Sequence, residues 1–130
     1  MRHLNEDGRK LPAMAMESLT AAENYGRLAR CFSGWRAEAL GRMARESRAQ
    51  SSCIGGICAL VLGDAPDRQI PAPDTGTPDI RLKKAYARAM RLLSICEEYG
   101  QDPEYGPVFR RLAIQQQDHC RKILEIIGSL

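Results

Sequence analysis

Four stretches of this chain repeat an apolar or small side chain every third or fourth residue, the spacing that keeps one face of an α-helix turned the same way. The first stripe is Met14, Ser18, Ala21, Tyr25, Leu28 and Phe32, and it predicts a helix over 11–32. Pro12 suits the first turn of that helix, and Ser33-Gly34 ends it. The second stripe is Ala39, Met43, Glu46, Gln50, Ile54, Ile57 and Val61, within a predicted helix over 35–62 that Gly63 closes. With two residues between them, the first two helices are expected to lie antiparallel. Residues 63–78 hold four of the seven prolines and read as a long connection. A third helix over 79–100 carries Leu82, Ala85, Ala89, Leu92, Cys96 and Tyr99. A fourth, over 103–128, carries Phe109, Leu112, Gln116, His119, Ile123 and Ile126, with Leu130 continuing its stripe, and Asp102-Pro103-Glu104 is the expected start. No segment alternates with the two-residue period of a strand. One all-α domain over 1–130 follows: an up-down four-helix bundle with a long crossover between helices 2 and 3.

The stripes are not clean. Ser18, Glu46, Gln50, Gln116 and His119 interrupt them in the middle third of their helices. A buried imidazole or carboxylate costs several kcal/mol unless a partner satisfies it. These five residues are therefore expected to face one another as a central polar cluster. The alternative is that Glu46 and Gln50 sit at the edge of their stripe and reach water. Gln116 and His119 are three apart and share a helix face, so His119 is a candidate metal ligand with Glu46. As a core histidine hydrogen-bonded to Glu46 or Gln50 it needs no metal, and that reading comes first.

Composition narrows the classes further. Aromatics are few, so Leu, Ile, Met and Ala must fill the core, which suits packed helices. The formal charge of +3 is modest, and no basic tail calls for nucleic acid or a membrane surface. The rows Arg42, Arg45, Arg48 and Arg81, Lys84, Arg88, Arg91 read as solvated outer faces. Residues 1–10 lack the apolar run of a secretory signal, and the longest apolar stretch, 54–62, is too short for a bilayer. Five cysteines without a C-x-x-C pair suggest a reduced, cytoplasmic setting. Mixed S, N and O ligation by Cys53, His119 and Glu46 would suit zinc. Gly55-Gly56 inside a helix suggests close approach of another helix, as at a homodimer interface.

The whole pattern resembles the ferritin-like superfamily, in particular small rubrerythrin-type bundles. The resemblance rests on the helix-pair, crossover, helix-pair layout, on Tyr25 and Tyr99 late in the first and third helices, and on the segments ARESRAQSSCIGGI and RRLAIQQQDHCRKILEIIGSL. It implies a di-iron or di-manganese centre with a Glu on each of helices 1 and 3 and a Glu-x-x-His on each of helices 2 and 4. At the matching positions this chain has Ser18, Leu92, Glu46-x-x-Ala49 and Gln116-x-x-His119, so two of six ligands remain. A di-iron centre needs several carboxylates to balance its charge. The expected function is thus a non-catalytic binding or structural module that has lost the metal site, with no cofactor and with an unidentified small-molecule or protein partner. The alternative is a metal-binding oxidoreductase or iron-handling protein with a reduced iron, manganese or zinc site around Glu46 and His119.

Overall fold

A computed structural model describes residues 8–67, 69 and 71–130. The polar run 1–7 lies outside the described residues, as do Arg68 and Ile70 of the connecting segment. The described chain is four α-helices without a strand: α1 (Leu11–Ala29), α2 (Trp35–Leu62), α3 (Pro78–Tyr99) and α4 (Gly106–Gly128). No described helix is long and apolar enough to cross a membrane.

Local chemistry sets the ends. Gly34 (φ 65°) and Gly63 (φ 86°) take the left-handed backbone that turns the chain before and after α2, where a side chain would be strained. Two ends differ from the expected ones. After Ala29 the chain tightens, with Arg30, Cys31 and Phe32 each donating an N–H to the carbonyl three residues back. Asp102 does not open α4: its carboxylate accepts the N–H groups of Glu104 and Tyr105 (2.9 and 2.6 Å) in a separate turn. The helix starts at Gly106, with Pro107 in its first turn.

Side-chain packing falls into two apolar clusters, one at each end of the bundle. At one end the start of α1 (Leu11, Met14), the end of α2 (Ile54, Ile57), the end of α3 (Leu92, Cys96, Tyr99) and the start of α4 (Phe109, Leu112) pack together. At the other end lie Tyr25 and Leu28 of α1, Leu40 and Met43 of α2, Leu82 and Ala85 of α3, and Ile123 and Ile126 of α4. Each fully buried Leu, Ile or Phe contributes about 1.5–3 kcal/mol. The stripes of α3 and α4 are buried as the periodicity predicts, except Leu130, which is exposed. On α2 Met43, Gln50, Ile54 and Ile57 are buried as predicted, but the buried face is wider than the stripe: Leu40, Ser47 and Ser51 also point inward, while Ala39, Glu46 and Val61 lie at the margin.

The described residues of the segment between α2 and α3 touch the helices at two places. The Cys58 thiol donates to the Asp64 carbonyl, and Pro66 packs 3.8 Å from where a Cβ on Gly55 would stand. The glycine pair thus meets a proline of the same chain at Gly55 and open space at Gly56. Farther on, the Asp74 N–H donates to Asn24 Oδ1 (2.9 Å), and Arg88 Nη2 donates to both Asp74 carboxylate oxygens (2.9 and 3.1 Å). Arg88 is therefore buried and does not belong to a solvated row.

Candidate functional site

Between the two apolar clusters the interior becomes polar. Ser18 on α1, Ser47, Gln50 and Ser51 on α2, and Gln116 and His119 on α4 are all buried there. The helices position them by register. Along α1, Ser18 falls between Ala15 of one cluster and Ala21 of the other; along α4, Gln116 and His119 fall between Ala113 and Cys120.

Two hydrogen-bonded groups join α2 to α4. Gln116 Nε2 donates to Gln50 Oε1 (2.5 Å), and Gln50 Nε2 donates to Gln115 Oε1 (2.7 Å). Next to this chain of amides, His119 Nε2 lies 2.8 Å from Glu46 Oε1. His119 is wholly buried, whereas the Glu46 side chain keeps 27% of its surface exposed. A carboxylate can only accept, so the neutral imidazole carries its proton on Nε2 and leaves Nδ1 a bare acceptor. Protonating Nδ1 would bury a donor that has no partner. Burial accordingly pulls His119 below its ordinary value, against the hydrogen bond and charge of Glu46, which favour the charged form. The edge of the Tyr25 ring meets the His119 ring at 84°, with centroids 5.6 Å apart.

Glu46 is also the inner end of a charge chain that leads to the surface. Arg42 Nη1 lies 3.2 Å from Glu46 Oε2 and 3.2 Å from Asp118 Oδ2, and Arg121 Nη2 reaches Asp118 Oδ1 (2.5 Å). Burial raises the Asp118 carboxyl, but the hydrogen bonds and charges of Arg121 and Arg42 outweigh it and hold the group below the usual range. A guanidinium thus bridges Glu46 and Asp118, the two carboxylates nearest His119.

The other residues considered from sequence are dispersed. Leu92 is part of an apolar cluster, and Ala49 is exposed. Glu17 pairs with Arg91 and Glu23 with Arg48, both on the outside of the bundle. Cys53 is exposed, and burial raises the Cys58 and Cys120 thiols and pushes Cys96 up to about 12. Among the described residues, no group of three or more His, Cys, Asp or Glu side chains is gathered where it would hold a metal ion. The donor set of the resembled di-iron centre is therefore not met: one imidazole and one carboxylate face each other, and Arg42 already balances the carboxylate.

Four buried polar atoms in the belt lack partners: Ser18 Oγ, Ser47 Oγ, Gln116 Oε1 and His119 Nδ1. Sequence periodicity missed Ser47 and Ser51, because it drew the inward face of α2 too narrow; the Ser51 hydroxyl in fact ties α2 to α1 through the Ala15 carbonyl (2.8 Å). On the outside, the seam between α2 and α4 opens as two adjoining hollows of about 460 and 410 Å³, the first reaching Glu46 and the second Gln50.

The paired amides give a direct test of the belt. Gln116→Leu alone strands the Gln50 carbonyl and is expected to cost about 1–3 kcal/mol in urea unfolding. Adding Gln50→Leu removes the stranded group and should return stability to within about 1 kcal/mol of the parent. Additive losses in the double variant would show that the amides do not act as a pair.

No family model, curated protein or solved structure matches this chain.

Proposed function

We propose that this chain is a ferritin-like, rubrerythrin-type four-helix bundle with a crossover between α2 and α3, working as a non-catalytic binding or structural module. The clustering of helix ends supports the topology. The ends of α2 and α3 share one apolar cluster, as expected where the segment between them returns along the bundle before α3 begins. Contacts along the α1–α3 seam agree: Lys10 pairs with Glu98, and the Arg81 guanidinium meets Cys31.

The observation that carries the functional reading is the Arg42 bridge beside the Glu46–His119 pair. In a di-iron bundle several carboxylates converge to neutralise two cations. Here the positive charge near His119 is supplied by an arginine, and the remaining inward groups are amides and hydroxyls. Such a centre stores neither electrons nor metal. It specifies the register of α2 against α4 through directional bonds, as buried polar groups do in other helical assemblies. The free thiols fit the same reading of a reduced, cytoplasmic protein.

Anaerobic loading with Fe(II), Mn(II) or Zn(II), followed by desalting and elemental analysis, tests this reading. Well under one ion per chain is expected for each metal. One or more ions per chain, lost on both Glu46→Ala and His119→Ala, would replace it with the iron-handling or oxidoreductase alternative.

A further inference from the structure

A further hollow lies in the groove between α1 and α2, around α2 from the seam with α4, and it shares no residue with the central belt. Glu23, Gly26, Arg27 and Arg30 from α1 and its cap, with Ala44 and Arg48 from α2, enclose a hollow of about 330 Å³. Its composition is unlike that of the two hollows beside α4. Three arginines line it against one glutamate. Small residues make its floor, and Gly26 leaves open space where a Cβ would stand.

The charge inside the groove is only partly compensated. Glu23 Oε1 accepts from Arg48 Nη2 at 3.1 Å. Among the described residues no carboxylate pairs with Arg27 or Arg30, and the Arg27 Nε–H is buried with no acceptor. A buried guanidinium N–H without an acceptor is costly, and the other N–H groups of these arginines are free to meet an anion in the groove. The negative end of the α1 dipole explains a cation in the last turn of that helix. It does not explain Arg48, which enters from the middle of α2.

We propose that this groove binds a small phosphate-bearing ligand, the phosphate held by Arg27, Arg30 and Arg48 and its polar body resting over Gly26 and Ala44. Planar forks of N–H donors match the oxygens of a phosphate. The hollow lies at the lower edge of the roughly 300–1,000 Å³ range of small-molecule sites, room for a phosphate with a sugar-sized body. It is confined between two helices, and no aromatic face lines it, which separates it from a nucleic-acid track. Glu23 then acts as an internal competitor that occupies Arg48 when the site is empty.

Titrating isotope-labelled full-length protein with inorganic phosphate, against sodium chloride at matched ionic strength, tests the site by amide chemical shifts. Saturable shifts at Gly26, Arg27, Ala44 and Arg48 are expected with phosphate and not with chloride. Arg27→Gln combined with Arg48→Gln should weaken binding by about tenfold or more. Arg30→Gln, whose side chain is exposed, should weaken it with no effect on folding. Glu23→Gln releases Arg48 and should tighten binding about fivefold. Shifts that are linear and equal in both salts, binding unaltered by the arginine substitutions, or an unchanged or weakened Glu23→Gln would each overturn the proposal.

Discussion

Arg88→Ala is expected to lower the free energy of unfolding by about 3–5 kcal/mol, because it removes one partner of a buried ion pair and leaves the other behind. The Arg88 and Asp74 side chains keep only 9% and 14% of their surface, so water does little to replace the lost contact. The pair also does more than join two charges. Asp74 receives Arg88 from α3 and offers its own N–H to Asn24 on α1, and the Thr75 carbonyl accepts from Lys84 Nζ at 3.0 Å. One short stretch of the connecting segment is thereby fastened to both helices it covers. Removing Arg88 should consequently speed amide exchange at 72–77 as well as shift the urea midpoint. Asp74→Ala should produce a loss of similar size, and the double variant should lose less than the two single losses added together. A change below about 0.5 kcal/mol for Arg88→Ala would mean that the pair is no anchor.

Acid should weaken the fold through His119. Burial holds its folded-state proton affinity below the value of about 6.5 that applies in the unfolded chain. As pH falls, the unfolded chain takes up a proton that the folded chain still excludes, so the equilibrium moves toward unfolding. This contribution is complete above about pH 6.5 and is lost as pH drops from there through the folded-state value, at up to ~1.4 kcal/mol per unit. The depressed carboxyl of Asp118 acts in the same direction but in a lower window, below the ordinary aspartate value near 3.9. Urea unfolding measured from about pH 8 down to pH 5 should thus show a slope that disappears in His119→Gln, since a neutral amide cannot gain the proton. In the same buffers His119→Ala should cost about 2–4 kcal/mol at the alkaline end, through lost packing against Tyr25. A slope that persists unchanged in His119→Gln would assign the acid sensitivity elsewhere.

Much of the architecture was readable from spacing alone, and particular residues show where spacing stops being sufficient. On α3, Leu82, Ala85, Ala89, Leu92, Cys96 and Tyr99 are buried, because nothing polar competes for that face. On α2 polar residues are frequent, and the spacing finds Met43, Gln50, Ile54 and Ile57 but not the full width of the buried face. Leu40 and Ser47 occupy the interior, and Glu46 stays at the margin, where Arg42 and Asp118 can reach it. Of the five polar residues read as central, Ser18, Gln50, Gln116 and His119 are buried, and Glu46 is linked to them through His119. Arg88 shows a different limit. Helical periodicity sets it on an outer row, correctly for the helix, but Asp74 of the connecting segment covers Arg88 there, and periodicity within one element says nothing about so distant a partner. Asn24 was invisible for the same reason: its Oδ1 accepts from the Asp74 N–H, fifty residues away.

The split of the core into two apolar ends and a polar waist bears on how the protein responds to temperature. Exposing apolar surface on unfolding raises the heat capacity, by about 0.45 cal/K/mol per Å², whereas exposing polar surface lowers it by about 0.26. Ser18, Ser47, Gln50, Ser51, Gln116 and His119 occupy a layer that a uniformly aliphatic bundle would fill with leucine. The heat-capacity increment should accordingly be smaller than that of such a bundle of equal length, and the curve of stability against temperature broader and shallower, with both cold and heat unfolding moved outward from its maximum.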